Sequence, residues 1–177
     1  MSRTELRSPC VVVTGVEGIG KTTVARLLAQ RLGVPFADGD DFHSPADIAK
    51  MSAGTPLDDA DRRPWLQSIG RWLHEHDVAG TGAVVACSAL KRRYRDTLQA
   101  ACPRAFFLHL TADRDVLADR LRRRHGHFMP GSLLDSQLAT LEPLEPLEPD
   151  ERGAELNATP TPDTLADLAT DLLARQL

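Results

Sequence analysis

The sequence predicts an α/β fold in which a parallel sheet is covered by helices on both faces. Two observations carry this. Short β-branched apolar runs alternate along the chain with longer segments of helical periodicity, the pattern of strand–helix–strand units. The strands are also continuously apolar, as expected of a sheet buried on both sides. With 177 residues, residues 1–177 fit a single compact domain.

The first strand is CVVVT, Cys10 to Thr14, which ends at Gly15. A helix follows from Lys21 to Leu32, where Val24, Ala25, Leu27, Leu28 and Leu32 recur at helical spacing and Gly33 supplies a stop. Residues 34–37 form a second short strand. Asp59 to Asp61 and Pro64 mark a helix start, and Trp65, Leu66, Ile69, Trp72 and Leu73 make its apolar face, which assigns both tryptophans to the core. Residues 83–87 (AVVAC) and 105–110 (AFFLHL) give a third and a fourth strand, with a helix over 91–101 between them. Another helix starts behind Asp113. A final helix spans 164–177. Residues 141–149, LEPLEPLEP, break the pattern: the prolines exclude a helix and the glutamates favour solvent, so 141–150 reads as an extended surface connector.

Composition narrows the function. Twenty-one Lys and Arg against 25 Asp and Glu leave a formal charge of −4, which argues against general nucleic-acid binding. No apolar run is long enough to span a bilayer, and the start MSRTELRSPC lacks a signal-type apolar region. The three cysteines, Cys10, Cys87 and Cys102, have no metal-type spacing and read as reduced thiols. Together these indicate a cytoplasmic protein.

The strongest local signal is Gly15-Val16-Glu17-Gly18-Ile19-Gly20-Lys21-Thr22, a complete G-x-x-x-x-G-K-[ST] between a buried strand and an amphipathic helix. Its glycines let successive backbone N–H groups turn inward onto phosphate oxygens, and the following helix adds its positive end. Lys21 can reach the β- and γ-phosphates, and the Thr22 hydroxyl can ligate Mg²⁺. The motif implies nucleotide binding but not an acceptor.

Asp38-Gly39-Asp40-Asp41-Phe42-His43 ends the second strand, where a parallel sheet presents its ligands. Asp38 and Asp40 would lie on one side, one able to hold Mg²⁺ through water and the other to accept a hydroxyl proton. Basic groups follow. Arg62 opens the tryptophan helix. Lys91-Arg92-Arg93-Tyr94-Arg95 comes just after the third strand, and Arg120 and Arg124 run into His125-Gly126-His127-Phe128. Each cluster alone is also compatible with a solvated face. Beside a phosphate loop, the last resembles a closing lid, about residues 120–136, able to neutralise a transferring phosphoryl group.

These motifs resemble, in order, those of the small P-loop gluconokinases, relatives of shikimate kinase and the nucleoside monophosphate kinases. The resemblance rests on GVEGIGKTT (15–23), DGDDFH (38–43), IAKM (48–51), PLDDADRRPWL (56–66), CSALKRRYRD (87–96), R-x-x-x-R-x-G-H-F (120–128) and SQLATLE (136–142). It implies a three-layer α/β/α P-loop kinase fold whose five-stranded parallel sheet has the order 2-3-1-4-5. It implies ATP- and Mg²⁺-dependent phosphorylation of D-gluconate at its 6-hydroxyl, and a homodimer. By the same analogy residues 15–23, Thr23 included, bind the nucleotide, and Thr22 and Asp38 serve the metal. Asp40 orients and deprotonates the hydroxyl, while Lys21, Arg120 and Arg124 cradle the phosphate. Arg62, first, and Lys91, then Lys50, Arg95 and His127, bind the sugar acid. The connector is longer than the family's usual stretch, and Asn157 and Thr159 replace acidic residues often seen near the adenine. Two alternatives stay open: a kinase for another small hydroxy or sugar acid such as a shikimate-like one, and a nucleotide-responsive binding module.

Overall fold

A computed structural model describes residues 7–123, 131–142 and 152–176. Five strands pair in parallel: β1 (Cys10–Thr14), β2 (Phe36–Asp38), β3 (Ala83–Ala86), β4 (Phe106–Thr111) and β5 (Gly153–Asn157). Their spatial order is β2-β3-β1-β4-β5, as the resemblance implied. The register sets Val12 beside Val85, Val13 beside Leu108, and Asp38 beside Ala86. The carboxyl ends of β1, β2 and β3 therefore meet at one edge, where parallel sheets hold ligands.

Among the described residues seven helices accompany this sheet: α1 (Lys21–Leu32), α2 (Pro45–Ser52), α3 (Asp59–Val78), α4 (Arg92–Ala101), α5 (Arg114–Arg123), α6 (Gly131–Thr140) and α7 (Pro162–Gln176). The period-2 alternation of β1 divides the core between two faces. Val11 and Val13 join Val24, Leu28, Leu108, Leu165 and Leu173, which seats α1 and α7 on one face. Cys10 and Val12 join Trp65, Ile69, Leu73, Leu98 and Phe107, which seats α3 and α4 on the other. Cys10, Cys87 and Cys102 are free and buried, as the sequence indicated.

Several boundaries differ from the sequence expectation, each for a local reason. β2 starts at Phe36 because the Val34 N–H bonds back to Ala29 O at 3.0 Å and closes α1 behind the left-handed Gly33. The strand thereby runs one residue further and ends on Asp38. α7 starts at Pro162, with the Thr164 N–H bonded to the Thr161 hydroxyl at 3.3 Å. α2 was not predicted, although Ser44 caps it through the Asp47 N–H at 3.1 Å and Pro45 opens it. Residues 143–150 of the connector lie outside the described residues.

One glycine sets how closely the site approaches the sheet. A Cβ on Gly39 would meet Ala86 O at 2.5 Å and Cys87 Cα at 3.4 Å. Gly39→Ala is therefore expected to destabilise the fold by about 1–3 kcal/mol, the usual cost of overpacking. Urea unfolding against wild type checks this, and an unchanged midpoint would show that the β2–β3 edge yields.

Candidate active site

The loop between β1 and α1 curls because its glycines adopt backbone that other residues avoid; Gly20, at the helix N-terminus, has φ +96°. No side chain caps α1 at this end. Its first N–H groups are thus left to an anion, the arrangement that makes a helix N-terminus a phosphate site. Lys21 folds back so that Nζ donates to Val16 O at 3.2 Å. Burial pushes its ammonium below the ordinary value, while Glu17, Asp40, Cys87 and Asp38 pull it up. Thr23, two positions on, is exposed.

β2 brings Asp38 to this loop. Its Oδ2 accepts from the Thr22 hydroxyl at 3.2 Å, and its Oδ1 accepts from the Asp40 N–H at 3.0 Å. One carboxylate thus joins the phosphate loop to the single 3₁₀ turn Gly39–Phe42 that carries Asp40. A cleft of about 410 Å³ is lined by Glu17, Gly18, Gly20, Lys21, Thr22, Asp38, Asp40, Ala86 and Ser88. Asp40 reaches into its mouth. Partial desolvation, then Asp38 and Glu17, hold its carboxyl above the usual range, which suits a proton acceptor.

Among the described residues no group of three or more His, Cys, Asp and Glu could hold a metal by itself. The Thr22 hydroxyl and Asp38 carboxylate nevertheless fit Mg²⁺. This hard ion takes oxygen donors and is bound through one or two side chains together with waters and substrate phosphates.

The expected acid-binding cations do not stand alike. Lys50 is paired with Asp61, Nζ to Oδ2 at 2.6 Å, a contact that raises the lysine and lowers the aspartate. Lys91 Nζ lies 3.4 Å from Asp59 Oδ1. Asp59 also takes the Tyr94 hydroxyl and Arg93, so that Tyr94 first, then Arg93 and Lys91, hold its carboxyl below the usual range. Arg62 donates to the Tyr94 hydroxyl at 2.9 Å, its guanidinium 5.5 Å from the ring centroid. Among the described residues Arg62 forms no ion pair with a carboxylate. Its charge is therefore the least committed of the three. Sequence reasoning missed Asp59 and Tyr94, which organise this group.

Arg95 is held differently from these cations. It was expected at the sugar acid, but its residue is 1% exposed and its NH1 donates to Ala89 O, Leu90 O and Glu142 O at 3.3, 3.3 and 3.0 Å. It pins the segment after β3 to the end of α6. The physical reason is its helical position, on the same stripe as the buried Leu98. Arg95→Ala is expected to cost about 3 kcal/mol, from several buried carbonyls losing a charged donor. Denaturant unfolding measures it. A full-stability Arg95→Ala protein with a raised acid KM would restore the original assignment.

On the far side of the loop, Arg120 of α5 donates to Ile19 O at 3.4 Å and to Ala158 O at 2.6 Å. Arg120 thus touches the phosphate loop and the turn after β5. In that turn the Asn157 side-chain Oδ1 accepts the Thr159 N–H at 2.9 Å. Gln137 of α6, which sequence reasoning assigned no role, accepts the Glu17 N–H at 2.7 Å. Arg124 and His127 lie outside the described residues.

Residues 17–137 match the family model described as shikimate kinase. A gluconokinase of Gluconobacter oxydans (strain 621H) is 56% identical over 137 residues, covering 77% of this chain and 77% of that one. The chain belongs to the gluconokinase family. Among solved structures, a gluconokinase from Sinorhizobium meliloti 1021 is 39% identical, with a TM-score of 0.76 over 97% of this chain and 99% of that one. A sugar kinase from Janibacter sp. HTCC2649, in an unliganded structure, is 48% identical, with a TM-score of 0.85 over 94% and 95%. Membership of the gluconokinases makes the protein a kinase on a P-loop scaffold. Among the described residues no helix is long and apolar enough to cross a membrane.

Proposed function

We propose that the protein transfers the γ-phosphoryl group of ATP to the 6-hydroxyl of D-gluconate, giving 6-phospho-D-gluconate and ADP. The observation that carries this reading is the placement of Asp40 in one cleft with Lys21 and Thr22, with Arg62 facing the His43 ring beside Asp40. Backbone N–H groups from Gly15 to Thr23 hold the polyphosphate. Thr22 and Asp38 hold Mg²⁺, which supplies charge neutralisation when bound. Asp40 orients the acceptor hydroxyl and takes its proton. Lys21 and Arg120, each bonded to a carbonyl of the phosphate loop, balance negative charge on the transferring group, and Arg124 is assigned the same role. Residues 120–136 act as the lid, on a single domain.

Arg62 is the principal contact for the sugar-acid carboxylate, since a planar guanidinium binds carboxylates in a bidentate manner. Lys91, Lys50 and His127 complete the acid pocket, the first two after exchanging Asp59 and Asp61 for substrate. Arg62→Ala is expected to raise the gluconate KM about 10–100-fold, the worth of a charged hydrogen bond, with a smaller change in kcat. Steady-state kinetics separates the two, and a loss confined to kcat would move Arg62 to the transferring phosphate. A second acceptor class, a shikimate-like hydroxy acid, is favoured by the family model matched over residues 17–137. We further assign the protein to the cytoplasm and to a homodimer, in keeping with its family, and exclude nucleic acid and membrane as partners.

A further inference from the structure

His43 follows the turn that carries Asp40, and sequence reasoning gave it no role. Its side chain is 7% exposed, against 79% for Asp40. The ring stacks on the Trp65 indole, with centroids 4.5 Å apart and planes 11° apart. Trp65 is itself buried and donates from Nε1 to Gly39 O at 2.7 Å, so one indole braces both the turn and the imidazole. The two ring nitrogens are aimed at two carboxylates. Nε2 lies 3.9 Å from Asp40 Oδ1, and Nδ1 lies 3.9 Å from Asp47 Oδ2 on α2. Arg62 is the third charged group facing the ring.

A histidine buried only for packing has its nitrogens satisfied by neighbours. Here Nδ1 is buried with no hydrogen-bond partner, and Nε2 stops short of hydrogen-bond distance from Asp40. Catalytic hydrogen bonds are often long in a ligand-free enzyme and tighten when substrate is held. Asp40 needs such a partner, because it sits exposed on a single turn and must present one oxygen to the acceptor hydroxyl.

We propose that His43 is a positioning residue for Asp40, its Nε2–H bonding Asp40 Oδ1 in the substrate complex and leaving Oδ2 turned to the reacting hydroxyl. Trp65 fixes the plane of the ring, and Asp47 flanks the other nitrogen and limits its rotation. The role rests on the kinase reading above.

The test is a double-mutant cycle. His43→Ala is expected to lower kcat about tenfold, a coupling within the range of contacting residues, with the KM values for ATP and gluconate within about twofold. His43→Gln, whose amide N–H falls near the position of Nε2, should recover most of that loss. In an Asp40→Asn background His43→Ala should cost less than about twofold, because the group it positions is gone. Equal losses in both backgrounds, or no recovery by glutamine, would overturn the proposal. The ¹⁵N resonances of the His43 ring, in wild type and in Asp40→Asn, report the pairing without turnover or any change at His43. Their displacement by Asp40→Asn supports it and their indifference refutes it. Absence of gluconate turnover in wild type with displaced resonances would reject the acceptor and keep the pairing.

Discussion

Lys21→Ala is expected to lower kcat about 10²–10³-fold, the usual cost of removing one preorganised donor from a developing negative charge. The side chain is held over the phosphate loop by Val16 O and is partly desolvated. Desolvation strengthens whatever charge interaction it makes and disfavours the ammonium in the empty cleft. Glu17, Asp40 and Asp38 work against that disfavour, and a bound polyphosphate adds more negative charge at the same point. The lysine is therefore most firmly charged when phosphate is present. Stopped-time assays of ADP formation at saturating substrates give the number. A variant within a few-fold of wild type would mean that the helix N-terminus and the arginines carry the phosphate without it.

Asp40→Asn is expected to lower kcat about 10²-fold, with the gluconate KM little changed. General bases contribute about 10²–10⁴-fold. Phosphoryl transfer is often loose, with little proton transfer at the transition state, which places this case near the lower end. Asparagine keeps the shape of the side chain, so the loss isolates the proton-accepting role. A change of less than about threefold would reduce Asp40 to shaping the pocket.

The parts of this site that were legible in the sequence are those encoded locally. The phosphate loop is one contiguous motif whose chemistry is mostly backbone, and the topology places the end of β2 beside it. Asp38 and Asp40 could thus be assigned to one cleft, and the Thr22–Asp38 contact follows from strand order. Contacts between distant elements were less legible. Nothing in a run of basic residues says that Asp59, 35 positions from Tyr94, gathers Tyr94, Lys91 and Arg93 around one carboxylate. His43 and Trp65 stand in separate motifs, and their stacking appears only once α3 is packed against the turn.

Arg95 shows a signal that was present and overridden. It lies three positions before Leu98 on α4, so helical spacing already pointed it inward. Its charge suggested the pocket instead. A buried arginine is tolerable where backbone carbonyls take its hydrogens, and the segment after β3 offers two of them. That segment is irregular because it follows a strand end, and the sequence does not reveal which carbonyls it leaves unpaired. Gln137 is similar: its bond to the Glu17 N–H spans 120 positions and depends on where α6 returns to the sheet.

The protein is a kinase that reads a sugar acid and phosphorylates its terminal hydroxyl. The most direct test is ADP release with Mg-ATP and a panel of D-gluconate, shikimate, other sugar acids, glucose and a nucleoside monophosphate. Turnover on D-gluconate, with 6-phospho-D-gluconate as product and no comparable rate on the rest, is the predicted result. Preferred turnover on another acid would contradict the acceptor, and ATP binding with silence across the panel would contradict the kinase reading and leave a nucleotide-responsive binding module.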